Sequence, residues 1–241
     1  MKFKGLRRNW EEFATTDPLF AIASVPGKEG GRWDPEDFLA TGRVEVAELM
    51  SHIADLGDCG HEAALDFGCG YGRLTQALAP HFDSVTGVDV ATAMIEGAEE
   101  FNRHGPKCRF VMNPGEDLSL FADGSFDLVF TLAVLQHMEP RYSLRYLGEF
   151  FRVAKPDGIV AFQIPQPVKY QALKLALPDP LVAAGRRLRR PRGPLMEMYG
   201  LSPAQVEAAI TAAGGHIVRA TPKNSAPTRP GTLYLCRRDA A

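Results

Sequence analysis

No run of 18 apolar residues interrupts the 241-residue sequence, so no membrane span is expected. The opening stretch, Met1 to Trp10, lacks an apolar core, which speaks against a secretory leader and makes the cytoplasm the default compartment. Cysteine is scarce. Cys59, Cys69, Cys108 and Cys236 fall at no Cys-x-x-Cys or Cys/His spacing, which excludes a zinc site and a disulfide framework and leaves no metal expected. Charge of one sign is lacking too: 27 Lys and Arg stand against 29 Asp and Glu, a formal net charge of −2, and no nucleic-acid partner follows. There is no internal repeat and no linker. What remains, 45% hydrophobic and 23% charged, is ordinary for one soluble globular domain with a real core.

The informative stretch runs from Glu62 to Gln76. Ala63 to Phe67 is short, mostly apolar and uninterrupted, as a strand buried on both faces should be. Gly68, Gly70 and Gly72 break it, and Leu74, Ala77 and Leu78 then recur at helical spacing. A strand, a glycine turn and a helix N-terminus let a ligand approach backbone amides that have no partner inside the helix. The sixth position of the glycine pattern is Arg73, where a dinucleotide-binding turn wants Gly or Ala. A second strand, Ser84 to Val88, ends in Asp89, an acid placed to hydrogen-bond a ribose hydroxyl pair.

Asp66-Phe-Gly-Cys-Gly-Tyr-Gly followed by Gly87-Val-Asp89 resembles the first two motifs of class I S-adenosylmethionine-dependent methyltransferases. The resemblance covers about residues 60 to 165. It implies that backbone around Gly68, Cys69 and Gly70 holds the methionine part of S-adenosylmethionine, with Asp66 near its amine. It also implies that Asp89 takes the ribose, that Val90 and Met94 line the adenine, and that Leu132 lies close to the sulfur. Cys69 is thus expected to make contact through its backbone. The segment Asn113 to Leu118 should sit beside the adenine, but the position most often acidic falls on Pro114, so Asn113, Glu116 and Asp117 stay open. A Phe38-x-x-x-Gly42 segment resembles one that lies against the cofactor in relatives. Thr41, Gly42 and Arg43 are therefore candidates, Arg43 being suited to a carboxylate or equally to solvent.

The rest of the chain is consistent with that outline. Residues 1–33 read as an irregular arm or short helix that packs on the domain or closes over its site. Asp34-Pro-Glu-Asp starts a helix to about Leu56, interrupted by 38–43. Helices follow at about 71–80 and 91–103, strands at 108–112, 128–132 and 159–164, and a helix from Pro140. Ser202-Pro-Ala-Gln caps a helix to about Ala213, and two last strands read at 216–220 and 232–237. The alternation is that of a doubly wound α/β domain with helices on both faces. The resemblance adds a Rossmann-like sheet of seven strands in the order 3-2-1-4-5-7-6, the last antiparallel. One domain spans 1–241: an N-terminal arm and helices (1–57), a cofactor-binding half (60–165), a lid or substrate insertion (166–200) and a C-terminal helix and strands (201–241).

His137 follows the fourth strand, whose end resembles the motif facing both sulfonium and substrate. It is the candidate general base, since imidazole titrates near neutral pH, with a hydrogen bond at a helix start as the plainer alternative. Gln136, Tyr142 and Tyr199 are candidate substrate contacts. The basic run Arg186 to Arg192, after an amphipathic Lys169 to Leu177, suits a solvated loop, a pocket wall for an anion, or an acidic membrane surface. The expectation is a methyl transfer from S-adenosylmethionine to a small-molecule or glycan-type acceptor, at oxygen. A catalytically silent S-adenosylmethionine-binding module is the alternative. A nicotinamide oxidoreductase is disfavoured by Arg73 in the sixth position of the glycine pattern. Acceptor identity and oligomeric state stay open.

Overall fold

The computed structural model describes residues 3–57, 59–167, 171, 194, 196–224 and 229–239. Apart from Gln171, Lys169 to Leu177 lies outside the described residues, as does the arginine run. Helices α1 (Phe3–Thr16), α2 (Pro18–Ile22) and α3 (Pro35–Ala54) precede β1 (Ala63–Phe67), α4 (Arg73–Leu78), β2 (Ser84–Asp89), α5 (Thr92–Phe101) and β3 (Cys108–Met112). Then come β4 (Phe126–Thr131), α6 (Pro140–Val153), β5 (Ala154–Pro165), α7 (Pro203–Ala212), β6 (Gly215–Pro222) and β7 (Gly231–Arg238). The sheet order is β3-β2-β1-β4-β5-β7-β6, with β7 antiparallel to both its neighbours. That is the architecture anticipated from the sequence.

The alternation of β1 decides which layer each residue joins. Leu65 and Phe67 enter the core that α6 and α7 cover with Leu147, Phe150, Val206 and Ile210. Ala64 enters the opposite core with Leu49 and Ile53 of α3 and Leu74 and Leu78 of α4. Asp66, also on that face, is the polar exception. Both strand neighbours of β1 are parallel, so the carboxyl ends of β1, β2 and β4 open on one edge.

Two local expectations are corrected. Helix α3 runs unbroken through residues 38–43 from its Asp34 cap, whose carboxylate accepts from the Glu36 and Asp37 amides at 2.8 and 3.1 Å. Gly42 is there for close approach: a Cβ would stand 2.2 Å from the Arg73 carbonyl oxygen, so α3 lies directly on the start of α4. Strand β5 begins at Ala154, five residues earlier than expected, with an irregular register between Phe126 and Leu128 on β4.

Candidate functional site

The glycine turn is bent by Gly68, whose φ is 78° and whose absent Cβ would meet Val134 at 2.4 Å. Its first three amides are already engaged. Gly68 and Cys69 both donate to the Val88 carbonyl, at 2.8 and 2.9 Å, and Gly70 donates to Asp89 Oδ2 at 3.0 Å. What the turn offers is carbonyl oxygen, which can accept a further bond and suits an ammonium. Asp89 Oδ1 also accepts from the Ala91 amide at 3.0 Å. This carboxylate therefore ties the turn to the end of β2 and keeps lone pairs for hydroxyl donors. Burial of the Cys69 thiol pushes its pKa well up, so it stays protonated.

Below the turn, Asp66 is wholly buried. Thr75 Oγ1 donates to its Oδ2 at 2.6 Å, and Oδ1 has no partner. Burial raises the Asp66 pKa to about 6, against the opposing pull of Thr75 and the Arg73 guanidinium. Arg73 is buried as well. Its Nη1 donates to Thr41 Oγ1 at 3.3 Å, while Nε is unpaired. A carboxylate and a guanidinium, each with an unmet hydrogen-bonding atom, match the two ends of an amino-acid zwitterion. Arg43, the arginine favoured from the sequence for a carboxylate, instead faces Glu36 on the surface at 3.7 Å.

The N-terminal arm is helical and lies over this crevice. Ile22 sits on Gly70 and packs with Tyr71. The Glu11 carboxylate accepts from the Thr92 and Ala93 amides at 2.8 and 3.2 Å, which caps α5 from another element. Trp10 meets the His137 ring edge-on at 5.3 Å. Leu6, Asn9, Trp10 and Phe13 form one wall of a narrow cleft, with His137, Met196 and Glu197 opposite.

After β4 the chain turns sharply at Ala133, which holds a φ of 61°, a strained value for a residue with a side chain. Leu132 and Val90 are half-buried at the strand ends. His137 is buried; its Nδ1 lies 3.0 Å from the Glu197 carbonyl, which can only accept, so Nδ1 carries the proton. Nε2, at 3.2 Å from Gln136 Nε2, then accepts from that amide, and Gln136 Oε1 is left buried without a partner. Burial lowers the His137 pKa to about 4, and the Arg229 guanidinium adds to the effect.

The other expected contacts are placed as follows. Tyr199 donates through its hydroxyl to Glu197 Oε2 at 2.8 Å and through its amide to the Gln136 carbonyl at 2.7 Å. The Tyr142 hydroxyl accepts the Phe3 amide at 3.2 Å inside the core. Met94 is fully buried and packs with Ala14 and Ala91. Glu116 and Asp117 face Arg145 at 3.5 and 3.1 Å, whereas Asn113 is buried beside β2, its amide on the Asp89 carbonyl at 2.8 Å. Glu11, Ile22, Arg73, Glu197 and Arg229 were not foreseen. Arg73 alone carried a sequence signal, as the residue in the glycine pattern's sixth position. Among the described residues there is no cluster of metal ligands and no helix long and apolar enough to cross a membrane.

Residues 65–162 match a family described as a methyltransferase domain. The chain is similar to the ubiquinone biosynthesis O-methyltransferase of Methylococcus capsulatus, 31% identical over 131 residues that cover 54% of each chain. It is also similar to the human thiol S-methyltransferase TMT1B, 36% identical over 128 residues that cover 48% of each. The chain spans about half the length of these curated relatives. Magnesium protoporphyrin IX methyltransferase from Synechocystis, solved with S-adenosylmethionine bound, shares the fold with a TM-score of 0.66 at 16% identity, covering 98% of this chain and 97% of that one.

Proposed function

We propose, from the premise that residues 65–162 are a class I S-adenosylmethionine-dependent methyltransferase domain, that this chain transfers a methyl group to an oxygen of a small-molecule acceptor. The observation that carries the reading is the buried pair Asp66 and Arg73 beneath a glycine turn that presents carbonyl oxygen. Bound S-adenosylmethionine would supply a methyl carbon activated by a sulfonium. Asp66 and the turn carbonyls would take its ammonium, Arg73 with Thr41 its carboxylate, and Asp89 its ribose hydroxyls. Val90 and Met94 would line the adenine, whereas Glu116 and Asp117 are engaged by Arg145 and Asn113 by the Gly115 amide and the Asp117 carbonyl. Helices α1 and α2 would keep water from the reacting atoms. Holding two reactants in line can supply roughly 7–11 kcal/mol of a displacement barrier.

His137 would face the acceptor. Its lowered pKa keeps it in the uncharged form a general base needs but makes it a weak base. It suits an acceptor that sheds its proton easily or carries none.

Isothermal titration with S-adenosylmethionine tests the reading: a one-to-one complex of roughly micromolar affinity is expected. A folded protein that gives no heat and no thermal shift would overturn it. Turnover to S-adenosylhomocysteine then separates an enzyme from a silent binding module.

The Asp66 pKa adds a pH dependence. An ammonium needs the carboxylate, which is protonated below about pH 6 in the free protein. Affinity should therefore weaken about tenfold from pH 7 to pH 5, and Asp66→Asn should bind weakly at both. In the free fold the sign is opposite. The raised pKa means that Asp66 costs stability above pH 6, and this cost is relieved as pH falls toward 3.8.

A further inference from the structure

We propose that the acceptor is a small carboxylate seated on Arg229, and that the methyl group goes to a carboxylate oxygen to give a methyl ester. This rests on the methyltransferase reading above and names its substrate class. Arg229 leads into β7. The neighbouring Pro230 carbonyl accepts from the Gln166 amide at 3.0 Å, just past the end of β5. The segment 199–201 laces the same edge together, with Tyr199 on Gln136 and Leu201 on the Pro165 carbonyl at 3.1 Å. Arg229 thus stands at the end of the sheet that carries Gln136 and His137, and its charge is felt at the His137 ring.

Arg229 Nη1 is shielded from solvent and has no hydrogen-bond partner. A shielded guanidinium nitrogen with an unspent donor is costly unless an anion meets it. Gln136 Oε1 is the second buried polar atom left unmet at this end. It can accept a hydrogen bond from a donor elsewhere on the same acceptor. Glu197, whose carboxylate accepts from Tyr199, lines the cleft at His137, and its negative charge disfavours a multiply charged phosphate there.

The chemistry agrees with this arrangement. An alcohol would have to give up a proton to a base of sufficient strength. A His137 imidazole held by Gln136 and Glu197 is poorly suited to that task. A carboxylate carries no proton at neutral pH. One of its oxygens forms a bond to the methyl carbon of S-adenosylmethionine, and the carbon–sulfur bond breaks with its electron pair left on sulfur. The sulfonium and carboxylate charges vanish together, and no proton moves. A single hydrogen bond from Nη1 to one oxygen leaves the other free to attack.

The test uses methyl-labelled S-adenosylmethionine and a panel of small mono-, di- and hydroxycarboxylic acids, each beside its primary amide and parent alcohol. Methyl esters release their label as volatile methanol in mild alkali, whereas ethers, thioethers and methylamines do not. Alkali-labile label is expected with carboxylates alone. The same acids should raise the melting temperature of the protein saturated with S-adenosylhomocysteine. Arg229→Gln should lose that shift and at least about tenfold in kcat/KM, mainly through KM. Arg229→Lys should recover part of both, and S-adenosylmethionine affinity should be unchanged in either variant. Alkali-stable label, full carboxylate turnover by Arg229→Gln, or a panel in which no carboxylate accepts label or shifts the melting temperature would each overturn the proposal. Loss of S-adenosylmethionine binding by the unaltered protein would instead strike the methyltransferase reading itself.

Discussion

Replacing Gly68 with valine should abolish S-adenosylmethionine binding and lower the melting temperature by roughly 5–20 °C. Two costs add. A β-branched residue at a φ of 78° pays the left-handed penalty, on the order of 1–2 kcal/mol. Its Cβ would also arrive 2.4 and 2.5 Å from the two terminal carbons of Val134, and such overpacking costs about 1–3 kcal/mol. Val134 can escape only by disturbing the strained turn at Ala133. Gly214→Ala is the control. That glycine also has a positive φ, 72°, but nothing stands within 4 Å of its missing Cβ. It should cost only the backbone penalty and leave cofactor affinity alone. Differential scanning fluorimetry with and without S-adenosylmethionine measures both variants. Equal losses in the two would refute the role assigned to the turn.

Asp89→Ala should weaken S-adenosylmethionine at least about 100-fold. One carboxylate performs two tasks there. It accepts from Gly70 and Ala91, which fixes the turn against β2, and it is the acceptor assigned to the ribose hydroxyls. Hydrogen bonds to a charged group are worth about 1.5–3 kcal/mol each, and its loss also strands two backbone donors. Asp89→Asn should fall between, because an amide can meet only one of those donors with oxygen. Titration calorimetry decides. Retention of near-native affinity by the alanine variant would remove Asp89 from the site.

Much of this was legible because it depends on local pattern. Alternation of apolar strands with helical periods is enough for a doubly wound sheet, and Asp34 and Ser202 announce helix starts through their own side chains. Gly42 misled for a physical reason. Glycine inside a helix reads as a break, yet here it answers to a carbonyl 2.2 Å from its missing Cβ, and that carbonyl belongs to Arg73, far along the chain. Arg43 and Arg73 show the same limit. Both are plausible carboxylate ligands by type, and only the packing of α3 on α4 buries one and turns the other to Glu36.

His137 illustrates the point in energetic form. The residue type suggests titration near neutral pH, but burial and a neighbouring guanidinium lower its pKa to about 4. Neither influence is encoded in residues adjacent to it in the chain.

The amino-acid order alone determined the strand-and-helix alternation, the glycine turn and the two acids at successive strand ends, because each is a short-range consequence of backbone sterics and hydrophobic period. The tertiary structure alone decided which polar groups lie buried without partners and which segment covers them. Burial and pairing are set by contacts between residues such as Ile22 and Gly70, or Arg229 and His137, whose separation along the chain leaves no trace in local pattern.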